Sequence, residues 1–184
     1  DDLKGFMSPL QRRMLKELLQ HLDELNVHIE NLNDEIDNFM KPEEKQASQM
    51  IQDVTGIGNT SAQAIIAVIG TDMERFPSDR HISSWAGLCP GDNISAKKRK
   101  GGKIRKGNAL LKSTLVLCAH AAVRHKSSYF HAQFKRISTH RGKKRAYVAV
   151  AHSILIAIYH ILKDGVKYQD LGAEYHNQFN AERK

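Results

Sequence analysis

The sequence predicts an all-α protein, an N-terminal coiled-coil helix followed by a helical domain that contains a helix–hairpin–helix. Three observations predict it. Leu15, Leu18, Leu22, Leu25, Ile29, Leu32, Ile36 and Phe39 recur at alternating steps of three and four residues. Gly56-Ile57-Gly58 forms a tight turn between two helix-like segments. Beyond the turn, apolar residues recur with a helical period, and no strand-like alternation stands out.

The first element follows from the heptad seam. Apolar residues at a and d positions over more than three repeats make a stripe that buries itself on another helix. That partner is either a second chain or a helix folded back in the same chain; pairing with a second chain, and hence a homo-oligomer, is the expectation. Lys16, Glu17, Asp23, Glu24, Glu30, Asp34 and Glu35 supply the solvated face. Ser8 and Pro9 suit the start of the helix, and Pro42 marks its end. The expected organisation is a coiled-coil arm over 1–45, a helical domain over 46–175 and a tail over 176–184.

In the domain, a helix over 43–53 carries Met50 and Ile51, and Val54 follows it. Two glycines flanking one aliphatic residue permit a very tight turn, since glycine accepts φ > 0 without a Cβ clash. Ile57 plugs the space between the helices, and the second helix runs from Ala62 to Ile69 with Asn59 or Thr60 as its cap. The amides of Gly56 and Gly58 then stand at a helix N-terminus, where free N–H groups and the dipole suit a phosphate. Thr55, Gly56, Ile57, Gly58, Asn59 and Thr60 are the candidate phosphate grip, which positions a duplex without reading its bases.

The remaining helices follow in order. Ser78 caps a short one that contains Ile82, Trp85 and Ala86 and ends at Gly87. Asn108 caps Ala109 to His125, with Leu110, Leu111, Leu115, Val116 and Ala119 buried. Ser127 or Ser128 opens a helix through Ile137. A long helix after Gly142 runs from Lys143 to Leu162, with Val148, Ala151, Leu155, Ile158 and Leu162 in the core.

Charge is uneven. Residues 1–45 hold 6 Lys and Arg against 11 Asp and Glu, or −5, and the remainder holds 22 against 9, or +13. A basic body suits a polyanionic partner. The charge peaks between Leu88 and Asn108, where Pro90, Gly91, Gly101, Gly102 and Gly107 predict irregular backbone. Residues 95–106 contain seven cations and no acid: Lys97, Lys98, Arg99, Lys100, Lys103, Arg105 and Lys106. Nucleic-acid phosphate is their natural counter-charge. Ser95 stands at the edge of this cluster. A serine hydroxyl needs a base to become a nucleophile, and Asp92 is the nearest acidic candidate. The surrounding cations would stabilise charge developing on a phosphodiester under attack.

Other chemistries find less support. His120, His125, His131, His152 and His160 have no metal-ligand spacing, so no metal site is expected in this chain. The tyrosines Tyr129, Tyr147, Tyr159 and Tyr168 read as packing residues. Cys89 and Cys118 read as reduced thiols. No apolar run approaches the roughly 20 residues of a membrane span, and no membrane partner is expected. The first residue is Asp1, which fits a fragment of a longer protein.

Taken in order, these segments resemble the C-terminal transposase domain of the insertion sequence 110 family. The resemblance rests on Thr55-Gly56-Ile57-Gly58; Ile69-Gly70-Thr71-Asp72 with Arg75-Phe76; Ala86-Gly87-Leu88-Cys89-Pro90; Ser95 and its basic loop; Ile104-Arg105-Lys106-Gly107-Asn108 with Leu111; Arg141-Gly142-Lys143; and Asp164-Gly165. It implies a DNA recombinase that moves an insertion sequence through a covalent serine–DNA intermediate, with Ser95 at the catalytic position. The family places Gly after that serine, where this chain has Ala96. It implies DNA contacts through the cationic loop and Asn108, and a structured guide RNA from the same element as a second partner. It also implies an N-terminal domain, absent from residues 1–45, whose acidic residues hold a divalent metal such as Mg. Without that half, the chain alone is expected to bind DNA weakly and cut nothing. The expected location is the prokaryotic cytoplasm, at the nucleoid when acting. The competing expectation is a non-catalytic helix–hairpin–helix module on a coiled-coil dimer.

Overall fold

A computed structural model describes Gly5, residues 7–89, the backbone of 94–95 and 98–99, and residues 106–175. The expected tail at 176–184 lies outside the described residues. Two compact units divide the chain, Asp1–Met40 and Lys41–Lys184.

The first unit is one helix, α1 (Pro9–Phe39). Ser8 caps it through a box in which its Oγ accepts from the Gln11 amide and the Gln11 side chain accepts from the Ser8 amide. At about 1.5 Å per residue its 31 residues span roughly 46 Å. None of them is buried. The heptad residues are 40–89% exposed, and Leu10, Met14, Leu19 and Val27 are exposed beside them. The helix ends at Phe39, and Pro42 begins the next helix at its N1 position, where proline fits.

The second unit is helical, with α2 (Pro42–Gln52), α3 (Asn59–Ile69), α4 (Asp79–Trp85), α5 (Ala109–Ala122), α6 (Tyr129–Arg141) and α7 (Lys143–Asp164). A 3-10 turn covers Met73–Arg75, and two short strands, β1 (Ile94–Ser95) and β2 (Lys98–Arg99), pair antiparallel. Helix α7 is the hub: α2, α4, α5 and α6 all pack on it, and α3 bridges α2 and α5. Its buried side is Ala146, Val150, Ala151, Ile154, Leu155, Ile158, Tyr159 and Ile161. Ile51, Ile65, Ile69, Ile82, Leu111 and Leu115 on the other helices are fully buried core residues. The Tyr159 hydroxyl is buried and donates to the Phe76 carbonyl at 3.1 Å, tying α7 to the segment after the 3-10 turn.

Several expectations shift. Helix α7 is long and apolar enough to cross a membrane by length and composition, so the sequence does contain such a run. Its apolar side is instead covered by the surrounding helices. Helix α3 begins three residues before Ala62, with Gly58 rather than Asn59 or Thr60 as N-cap and no side-chain cap bond. Leu110 is exposed, and Val116, Val148 and Leu162 are only half-buried. Helix α6 continues past Ile137 to Arg141 because Gly142 offers the first backbone break. Asn108 and Ser128 cap as expected, accepting from the amides of Leu111 and His131.

Candidate nucleic-acid interface

The Gly56-Ile57-Gly58 turn joins α2 to α3, and its two glycines do different work. Gly56 has φ +95°, and a Cβ there would meet the Cys118 carbonyl at 2.5 Å and the Ala122 amide at 2.6 Å. Its missing side chain thus lets the turn lie against the backbone of α5. Ile57 is buried, as a plug should be, and its amide donates to the Val54 carbonyl at 3.0 Å. Gly58 has ordinary extended backbone, with nothing near the position of a Cβ. Gly58, Asn59 and Thr60 are exposed at the start of α3. The two glycines thus differ in surroundings: Gly56 packs on α5 and is half-buried, while Gly58 is exposed.

Thr55, half-buried in the same turn, is hydrogen-bonded. Its hydroxyl donates to Asp170 at 3.3 Å. That carboxylate also accepts from the Tyr129 amide at 2.8 Å, the Gly172 amide at 2.8 Å and the Tyr168 hydroxyl at 3.3 Å. One acidic side chain thus fastens the segment after α7 to the turn and to the start of α6. Burial, followed by the charge of Asp170, pushes the Tyr168 phenol well above its usual range, so it stays a neutral donor. Burial likewise raises Tyr129 and Cys118, which suits packing roles.

The basic loop leaves the body after α4 and returns at α5. Its base is closed at Gly107, where a Cβ would overlap the backbone of Ala86 and Gly87. The Asn108 amide approaches the Trp85 carbonyl at 3.4 Å, and Gly87 itself has φ +72°. Three residues at one end, Trp85, Ala86 and Gly87, therefore lie against two at the other, Gly107 and Asn108. Within the loop, β1 and β2 pair with Ile94 opposite Arg99 and Ser95 opposite Lys98. The segment expected to be irregular thus contains a small ribbon, and it puts the backbone of the candidate nucleophile directly across from that of a cation. Lys106 is exposed beside the base, while Asn108 turns its oxygen into the α5 cap. Asp92, Lys97, Lys100, Lys103 and Arg105 lie outside the described residues.

Among the described residues no group of three or more His, Cys, Asp or Glu side chains is placed to hold a metal ion. The divalent metal implied by the resemblance therefore has no ligand set among them. His160 instead pairs with Asp164 at 2.8 Å. His131 lies 2.7 Å from the Val123 carbonyl. Burial lowers the pKa of His152, with Asp79 opposing it.

Residues 48–135, which run from within α2 into α6, match the transposase family described as IS116/IS110/IS902. The chain is 32% identical over 108 residues to the transposase for insertion sequence element IS1111A of Coxiella burnetii, covering 56% of this chain and 29% of that protein. It is 28% identical over 131 residues to an uncharacterised protein of insertion element IS110 from Streptomyces coelicolor, covering 69% of this chain and 31% of that protein. The chain therefore spans about a third of the length of the relatives it matches. The matched stretch includes the turn at Gly56, the closed base at Gly107 and the ribbon between them, and over it the chain is similar to the IS116/IS110/IS902 transposase family.

Proposed function

We propose that this chain is the DNA-engaging part of a transposase that breaks and rejoins the strands of an insertion sequence, with Ser95 as nucleophile. The observation that carries the reading is the closed basic loop. A backbone pair sets Ser95 opposite Lys98, the sequence puts seven cations at 95–106, and Gly107 after them packs on the backbone of Ala86 and Gly87. Duplex phosphates held against such a loop would meet the hydroxyl and its counter-charges together.

The chemistry is a transesterification. The Ser95 Oγ forms a bond to phosphorus as its proton passes to a base, for which Asp92 is the nearest acid in sequence. The P–O bond to the neighbouring sugar breaks, and the departing hydroxyl takes up a proton. The phosphoester keeps the bond energy, so attack by a new strand's hydroxyl reverses the step and frees Ser95. The exposed start of α3 at Gly58 grips the backbone nearby. Helix α1 pairs with α1 of a second copy, which would cover its exposed heptad seam. A structured RNA from the element is a second polyanionic partner, and the divalent metal is held by a separate N-terminal domain.

The test is Ser95→Ala in a complete protein containing this chain, assembled with its RNA. DNA binding should persist while strand exchange falls to background. Unaltered exchange would leave the alternative, a non-catalytic binding module, as the better account.

A further inference from the structure

A second concentration of charge lies where α6 meets α7. Lys135, Arg136, Arg141, Lys143, Lys144 and Arg145 are exposed, and residues 135–145 contain no acid. None of these cations forms an ion pair with a described carboxylate. A single residue, Gly142 with φ +80°, separates the two helices, so Arg141 and the Lys143–Arg145 run share one corner. Three cations in the first turn of α7 oppose the helix dipole, a cost that a bound anion would offset.

Beside this corner stands an aromatic stack drawn from three helices. The rings of His120 and Tyr147 lie 3.6 Å apart at 20°, and Tyr147 meets Phe134 at 4.5 Å. Tyr147 and Phe134 are half-buried, whereas His120 is exposed at the outer end. Lys143 and Lys144 precede Tyr147 by four and three residues, so they share its helix face. Phe134 and Tyr147 thus brace a flat, exposed imidazole one helical turn from unpaired ammonium groups. A core histidine would be enclosed, and a surface cation run would have no plate beside it.

We propose that this corner binds single-stranded nucleic acid, its phosphates on Lys143, Lys144 and Arg141 and an unpaired base stacked on His120. Stacking on a ring requires a base freed from its duplex, whereas cations alone would accept either form. The site is independent of Ser95 and of the basic loop.

The test measures binding of the 184-residue chain to fluorescent single-stranded DNA, single-stranded RNA and duplex DNA by anisotropy across a salt series. His120→Ala should weaken single-strand binding about five- to a hundred-fold, the range that loss of one stacked base spans. It should leave duplex affinity unchanged, and His120→Trp should restore the lost affinity. Lys143→Gln with Lys144→Gln should lower the single-strand salt slope by roughly 1.4, two phosphates' worth of counterions. Helical circular dichroism is recorded for each variant, and the restoration by Trp separates stacking from misfolding. Preference for RNA or for DNA identifies the physiological strand, and either supports the site. Wild-type affinity in both variants, or equal losses on single strand and duplex from His120→Ala without rescue by Trp, would overturn it.

Discussion

The two units of this chain solve the hydrophobic problem in opposite ways. The body wraps α2, α4, α5 and α6 about α7 and buries its apolar side. Helix α1 presents a comparable number of leucines and isoleucines and buries none of them. An apolar seam of that length has a stable solution only when a second helix covers it. The body therefore buries its own core, whereas the arm leaves its apolar seam exposed.

The sharpest way to break the body alone is to fill a glycine that lets two backbones touch. Gly56→Ala and Gly107→Ala each force a Cβ into neighbouring backbone, Gly56 at a positive φ besides. Each should cost on the order of 3 kcal/mol or more, read as a large fall in the denaturant midpoint. Gly58→Ala, at extended backbone with open space around it, should cost about 1 kcal/mol or less. Gly58 is accordingly the cleaner position at which to perturb phosphate contact, since Gly56 variants report on folding.

Breaking the arm alone should do the reverse. Leu25→Asp with Ile29→Asp puts charge in the middle of the exposed seam. Sedimentation should show loss of the oligomer, while the body's unfolding midpoint stays where it was. A lowered body midpoint would mean that the arm contributes to the fold it adjoins.

Finer effects test the strap that closes the body. Asp170→Ala removes the acceptor of four hydrogen bonds, and its exposure limits the loss to roughly 1–2 kcal/mol. Hydrogen exchange should rise at the Tyr129 and Gly172 amides and remain slow in α7. The smallest effect is the titration of His152. Its folded pKa lies below the usual 6.5 because burial disfavours the imidazolium. The unfolded chain therefore binds the proton first as pH falls. Stability from this group is intact above pH 6.5 and is lost as pH descends from there through the folded value. His152→Gln should flatten that part of the stability profile.

What the sequence revealed depended on range. The helix that carries the heptad spacing and the caps at Ser8, Asn108 and Ser128 are local, and they appear where the sequence implies them. The start of α3 is not legible, because Gly58 caps it with backbone alone and no polar side chain marks the position. The ribbon at Ser95 and Arg99 is two residues per strand, too short for any alternation to register. Gly56 reads as a tight-turn residue and Gly107 as a break in regular structure, yet what demands glycine is a neighbour distant in sequence, the backbone of α5 for one and of Ala86-Gly87 for the other. Asp170 and the stack of His120 on Tyr147 are tertiary in the same sense, joining residues tens of positions apart with no spacing to announce them.

The most direct measurement asks whether the proposed nucleophile, Ser95, becomes joined to DNA. A complete protein containing this chain is reacted with a substrate nicked so that the departing strand diffuses away, then digested and read by mass spectrometry. The account predicts a nucleotide phosphate on the peptide bearing Ser95, and on no peptide once Ser95 is alanine. Recombination with the adduct on another residue, or with no protein–DNA linkage at any time, would contradict it.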